Sequence, residues 1–268
     1  VPREVEVGFY AGGVQTRTTM LSNGLSAEWE DGDRLSVWAL ASDGTYTLAN
    51  QPFTTYGING SRGFFTTQLD DGMPEGTYTY YCCYPTPVSV NGTSVSFNVP
   101  ALQDGKVSGG ADIMIATPVE HGALTAIQDM DNQSGMSMEM NRMMHQFRFW
   151  VPEDDQLLGN EKIEQIFLSF PTPVVGDVTL NLADADAPAQ LSNGQTDVSL
   201  ALAQPIGKTS GEDYQYACMA MTPVQFASGQ VLSLKAYTDD KVAYFDPIDL
   251  KGKNCEAGHS TPVKLRVK

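Results

Sequence analysis

The chain has 268 residues and is 41% hydrophobic, enough for one large or two ordinary domains with a sizeable core. Asp and Glu number 32 against 16 Lys and Arg, a net charge of −16. That balance argues against nucleic acid or an anionic membrane as a partner and fits a solubilising acidic surface. No apolar run approaches the roughly 20 residues of a membrane helix. The four cysteines (Cys82, Cys83, Cys218, Cys255) form no C-x-x-C, so neither a zinc pattern nor a dense disulfide framework is present. They read as small buried hydrophobes, with a Cys218–Cys255 bridge left open.

In chain order, Val5, Val7 and Phe9 alternate with Glu4, Glu6 and Gly8, the period of a strand. Thr16-Arg17-Thr18 follows in a polar stretch. Trp29 then enters an Asp31-Gly32-Asp33 turn. Gly32 supplies a positive φ there, and Asp31 or Asp33 can bond back to the backbone. Leu35, Val37 and Ala39 continue as a strand. Asp43-Gly44 predicts a hairpin with Tyr46 and Leu48 on its return. Phe53 to Phe65, carrying Tyr56-Gly57, Asn59-Gly60 and Arg62-Gly63, predicts turns with short edges. Thr77 to Tyr84 reads as a buried strand stopped by Pro85, and Val95, Phe97 and Val99 as another stopped by Pro100. Asp112 to Ala116 is a short apolar strand. Ile127 to Met144 is the best helical candidate, weakened by Gly135.

The second half opens with Met138, Met140 and an aromatic strand in which Phe147, Phe149 and Val151 share a face with His145. Ile166, Leu168 and Phe170 form the next strand, ended by Pro171 and Pro173. Gly176 precedes Val178, Leu180 and Leu182, and Asn193-Gly194 predicts a turn. Strands follow at Val198 to Leu202, Tyr214 to Cys218 and Leu232 to Ala236. The last strand alternates Val263, Leu265 and Val267 with Lys264, Arg266 and Lys268, a basic pattern that guards an exposed sheet edge. The expectation is an all-β chain of two tandem Greek-key β-sandwich domains, residues 1–135 and 136–268. Trp29, Phe97, Phe147 and Leu180 are expected to be buried.

Signals for chemistry are sparse. His121, His145 and His259 lie far apart in sequence, without H-x-x-x-H spacing, and no G-x-S-x-G occurs. His145 reads as a packed residue at a strand start. The carboxylate groups Asp70-Asp71, Glu153-Asp154-Asp155, Asp184/Asp186 and Asp239-Asp240 fit no EF-hand loop and read as solvated loop charge. Tyr78, Tyr80, Tyr81 and Tyr84 suit core packing better than a sugar-stacking platform. Asn59-Gly-Ser and Asn91-Gly-Thr read as turns. No catalytic residue, cofactor or metal ligand is expected, and the chain is not expected to be an enzyme.

The ordered set of features resembles the fimbrillin-like proteins of anaerobic Gram-negative bacteria, the pilin, anchor and adhesin relatives of the type V pilus. The set comprises an N-terminal strand, Thr16-Arg17-Thr18, Trp29 with Gly32-Asp33, and Gly76-Thr77-Tyr78 running into Tyr84-Pro85. It continues with the strand at Asp112 to Ala116, His145 ahead of an aromatic strand, Gly176 ahead of Val178-Thr179-Leu180, and Ala257-Gly258 before the last strand. The resemblance implies transthyretin-like sandwiches, a lipoprotein precursor at the outer membrane, and a surface fibre or adhesion role. Its partners would be other pilus subunits or surface ligands. The chain begins at Val1 rather than Met, as expected where a leader or lipid-bearing Cys has been removed. It stops after its last strand, which favours a tip, anchor or stand-alone adhesin over a shaft subunit.

In the resembling pilins an arginine-specific protease removes the first strand, and a neighbour's strand refills the groove. Carried onto this chain, Arg17 is the cut site, Arg3 an alternative processed start, and Val5, Val7 and Phe9 the displaced strand. The plainer reading of Arg17 is an ordinary surface residue. Two other functions are weighed: a carbohydrate-binding module, which needs exposed aromatics near carboxamides, and a metal-dependent hydrolase, which needs clustered His and carboxylates.

Overall fold

The computed structural model describes residues 3–12, 19–20, 27–59, 62–107, 111–127, 135–209 and 215–268. Every regular element among them is a strand. The first group is β1 (Glu4–Gly12), β2 (Thr19–Met20), β3 (Ala27–Glu28), β4 (Arg34–Ala41), β5 (Tyr46–Asn59), β6 (Arg62–Asp70) and β7 (Thr77–Tyr84). Next come β8 (Ser89–Asn91), β9 (Ser94–Val99), β10 (Leu102–Gln103), β11 (Met114–Ala116), β12 (Val119–Gly122) and β13 (Ser137–Arg142). Then follow β14 (His145–Pro152), β15 (Ile163–Ser169), β16 (Val175–Asn181), β17 (Gln190–Gln195), β18 (Asp197–Ile206) and β19 (Lys208–Thr209). The chain ends with β20 (Ala217–Met221), β21 (Val224–Gln225), β22 (Val231–Tyr237), β23 (Val242–Tyr244), β24 (Ile248–Asp249), β25 (Asn254–Cys255) and β26 (Ser260–Lys264).

The first sheet closes on itself. Its order is β11-β13-β1-β6-β5-β4-β7, and β7 pairs back to β11 through Tyr84↔Met114 and Cys83↔Ile115. The result is a seven-strand ring, with β12 added beside the start of β7. Period-2 alternation fills it: Val7, Phe9, Leu35, Val37, Phe53, Phe65, Tyr80, Cys82, Met138 and Met140 share one core. The outer faces of β4, β7 and β11 are buried as well. Trp38, Tyr81, Cys83 and Ile115 pack into a second core with Phe97, Phe147, Phe170 and Leu180. Ser36 is buried for the same reason. Trp29, Phe97, Phe147 and Leu180 are all buried, as the alternation predicts.

The second core lies among three smaller sheets. One has the order β17-β16-β9-β8, and one the order β10-β18-β15-β22-β23 with β24 beside β22. In the third, β14 pairs with β20, β26 and β19. Residue 135 does not separate the pairings. β9 pairs with β16, β10 pairs with β18, and β13 belongs to the ring. Gln103 stitches this further by accepting from Ala220 N and donating to Ala220 O.

Four sequence expectations differ from the structure. The helical candidate is strand β13 over 137–142, because Met138 and Met140 alternate with Glu139 and Asn141 at period 2. The described residues from Phe53 to Phe65 lie in two long strands, with Gly60 of the expected Asn59-Gly60 turn outside the described residues; Gly57 marks a register shift, as glycine does at bulges. Gly63 is there for space, since a Cβ would lie 2.6 Å from the Phe65 ring. Asn193-Gly194 is a bulge inside β17 rather than a turn, lying opposite Gly176. Gly176 has φ +145°, and a Cβ there would meet two backbone carbonyls within 2.9 Å. Cys218 and Cys255 form no bridge: all four thiols are free and buried.

The turn at Trp29 forms as its residues predict. Gly32 has φ +92°, and Asp33 is the carboxylate that bonds back, accepting from Glu30 N at 2.7 Å. Tyr84 donates to its other oxygen at 3.3 Å, and Thr55 closes the turn by accepting from Gly32 N at 2.8 Å.

Candidate functional site: the seat of the first strand

The first strand is an interior member of the ring. Val7, Phe9 and Ala11 point inward and are fully buried, while Val5 at the ring's end is half-buried. Phe9 meets the Phe53 ring at 5.2 Å. Along one edge β1 pairs antiparallel with β6 over its whole length, from Glu4↔Asp70 to Gly12↔Arg62. Among the described residues, two pieces of chain meet the other edge. One is parallel pairing with β13 at Tyr10 to Gly12. The other is a bridge from Val7 to Ala126, with Ile127 N donating to Glu6 O.

The outer face adds a clasp. Phe64 lies across Gly8, where a Cβ would come within 2.6 Å of the Phe65 carbonyl and 2.8 Å of the Phe64 ring. Only glycine fits that approach. Arg62 of β6 lies over the Tyr10 ring at 5.2 Å and donates to Ser137 Oγ of β13 at 2.7 Å. It therefore spans β1 from one neighbour to the other. Thr66 donates to Glu6 Oε1 at 3.1 Å. Arg3, exposed, is fixed through its backbone: its N–H donates to Asp71 Oδ1, and its carbonyl accepts from Asp71 N. Arg17 and its flanking threonines lie outside the described residues.

Such a seat is made of backbone ladders and alternate apolar pockets. Burying Val7 and Phe9 is worth about 2–3 kcal/mol each, so an empty seat is costly. Any strand with the same alternation could satisfy the same ladder and pockets.

The other residues singled out from sequence do not converge on chemistry. His145 is buried, its Nδ1–H donating to the Glu256 carbonyl at 2.8 Å and its Nε2 accepting from Thr261 Oγ1 at 2.9 Å. Burial holds its pKa below the ordinary value, so it is a neutral, satisfied core residue. The tyrosines of β7 are buried, with Tyr78 and Tyr80 donating to the carbonyls of Pro74 and Gly122. Asp155 accepts from Leu157 N, Leu158 N and Val267 N, and Asp154 pairs with Arg266 at 2.9 Å. Among the described residues, no group of three His, Cys, Asp or Glu is placed to hold a metal. The final basic residues are engaged: Lys264 lies over Trp150 at 5.2 Å, and Lys268 pairs with Asp246. One polar pair escaped sequence reasoning. Arg142 donates to the buried Asp112 carboxylate at 3.0 Å, and burial raises the Asp112 pKa to about 6 despite that pairing. Only the fold brings β13 beside β11.

The model of the fimbrillin-like family matches residues 16–268. The chain belongs to the fimbrillin-like family. Comparison with curated proteins gives no match. Among solved structures, a candidate cell adhesion protein of Bacteroides uniformis superposes with a TM-score of 0.61 at 16% identity, covering 98% of this chain and 94% of that one. A second, from Bacteroides ovatus, gives 0.59 at 14% identity over 100% and 95% of the two chains. A third, from Bacteroides fragilis, gives 0.51 at 15% identity over 97% and 90%. At these identities the likeness is one of fold. This fimbrillin-like chain therefore shares the arrangement of those proteins across nearly its full length.

Proposed function

We propose that this chain is a non-enzymatic surface subunit of a fimbrial or adhesive assembly, and that β1 is the replaceable strand through which it joins other subunits. Family membership supports the fimbrial or adhesive role. The single observation that carries strand replacement is the seat of β1. Its inner face is filled by Val7, Phe9 and Ala11, one edge is a continuous ladder with β6, and among the described residues the other edge is met by β13 at Tyr10 to Gly12 and by Ala126 at Val7. Cleavage at Arg17 would free β1 from the remainder. Cleavage at Arg3 would leave β1 in place and only shorten its lead-in. Removing β1 would open a groove between β6 and β13 with a nine-residue ladder on the β6 side, and a neighbour's strand would fill it. A cap, anchor or tip position suits the chain better than a shaft position. We also propose attachment at the cell surface through a lipid-bearing leader. The two-unit division near residue 135 is proposed as well, with two sandwich-type units, the first closed into the ring, that exchange the segments at 89–103 and 137–142.

Limited trypsin digestion with N-terminal sequencing and size-exclusion chromatography tests the strand reading. A cut at Arg17 that leaves a folded, oligomerising remainder supports it. Resistance at Arg17, or a cut followed by unfolding without oligomers, overturns it.

A further inference from the structure

The outer face of the sheet β10-β18-β15-β22-β23 carries a use that the seat of β1 does not explain. Five of its outward residues are large and exposed: Leu102 (65%), Phe167 (37%), Val231 (41%), Val242 (39%) and Tyr244 (62%). The ladder places them in register. Ser199, Phe167, Lys235 and Tyr244 form one cross-strand row, and Gln165, Tyr237 and Val242 form the next. Phe167 and Tyr237 meet edge to face at 5.4 Å. A shallow groove of about 450 Å³ runs over Phe167, Lys235 and Tyr244 and ends at Ser169 and Asp197.

The charge on this face is unusual for so acidic a chain. Lys235 Nζ lies 5.6 Å from both the Phe167 and the Tyr237 ring centroids. No carboxylate of the described residues pairs with it, whereas Lys241, Arg266 and Lys268 each have one. The one acid in the groove, Asp197, is engaged by the Ser169 hydroxyl at 2.6 Å. The groove thus offers two aromatic rings and an ammonium that no carboxylate of the described residues pairs with, and the Gln165 carboxamide stands in the next row of the same face. A second copy of this chain would bring another −16 to the face, which opposes self-association. Rings that take the C–H faces of a pyranose, with donors at their edge, are the chemistry of sugar recognition. The cation adds a preference for a carboxylate.

We propose that this face binds an acidic oligosaccharide, with sugar rings on Phe167 and Tyr244 and a sugar carboxylate on Lys235 beside the Gln165 carboxamide. The assignment is independent of strand exchange at β1. The test is binding of the intact chain to an immobilised panel of hexuronate, sialylated and neutral oligosaccharides. Any acidic hit is then measured by calorimetry against its carboxylate methyl ester. The expected result is acidic hits, a loss of at least tenfold on esterification, and a loss of at least tenfold in each of Phe167→Ala, Tyr244→Ala and Lys235→Gln. All three positions are on the surface, and an unchanged circular dichroism spectrum and urea midpoint certify their folding. No acidic hit, equal affinity for the ester, or affinity unchanged in these variants would overturn the proposal. A chain that binds these sugars but is not cut at Arg17 would separate this face from the β1 reading.

Discussion

Phe9→Ala is the most informative single change in the seat of β1. Phe9 is fully buried, and its ring packs on Phe53 at 5.2 Å inside the closed ring. Truncation removes a ring's worth of apolar surface and leaves a void that the surrounding strands cannot collapse to fill. Phe-to-Ala changes at such sites cost about 3–5 kcal/mol. If β1 were a loosely laid outer strand, the cost would stay within about 0.5 kcal/mol, as for ordinary surface changes. The assay is urea unfolding followed by tryptophan fluorescence, with Glu4→Ala as an exposed control on the same strand. With a slope of about 3 kcal/mol per molar, the Phe9→Ala midpoint should fall by more than about 1 M and the control should barely move. A Phe9→Ala shift no larger than that of Glu4→Ala would refute the claim that β1 fills a core.

Gly8→Ala should destabilise by about 2 kcal/mol or more, since its Cβ meets the Phe65 carbonyl at 2.6 Å; equal urea midpoints would contradict this. Asp33→Ala should cost about 1–2 kcal/mol through the lost bonds to Glu30 N and the Tyr84 hydroxyl, read as a lowered melting temperature. Asp112 has a folded pKa raised to about 6 by burial, above its ordinary 3.8. Its contribution to stability is therefore full below about pH 4 and is lost as pH rises through about 6. Urea midpoints taken across that window should lose this component of their slope in Asp112→Asn, and an unchanged slope would contradict the burial argument. The thiols offer a chemical check, because burial pushes Cys218 up to about 12 and Cys255 to about 11. A thiol reagent should find almost none in the native chain and all four once it is unfolded.

Much of the strand pattern was legible because one-sided burial leaves a period of two. Val7 and Phe9, Val95 to Val99, and Phe147 to Val151 all read correctly for that reason. The ring was not legible, since closure depends on β7 meeting β11 and on β1 meeting β13, pairings that leave no local mark. The burial of Ser36 and Trp38 was hidden in the same way: alternation reports one face, and these strands are covered on both. Glycine misled twice. At Gly57 and Gly194 it makes a bulge that lets a strand continue, where the sequence alone suggests a turn. The seat of β1 could be anticipated from its alternating residues. The Arg62 clasp and the aromatic face around Lys235 could not, because each joins residues from three separate strands.

The most direct test of strand replacement uses the cut protein itself. The chain is cleaved at Arg17 and β1 is separated under mild conditions. A fluorescent peptide of residues 3–12 is then titrated in, with anisotropy and chromatography as readouts. The account predicts saturable one-to-one binding that suppresses oligomers of the cut chain, with a Phe9→Ala peptide binding at least tenfold more weakly. A cut chain that stays folded and monomeric yet ignores the peptide, or that takes both peptides equally, would contradict it.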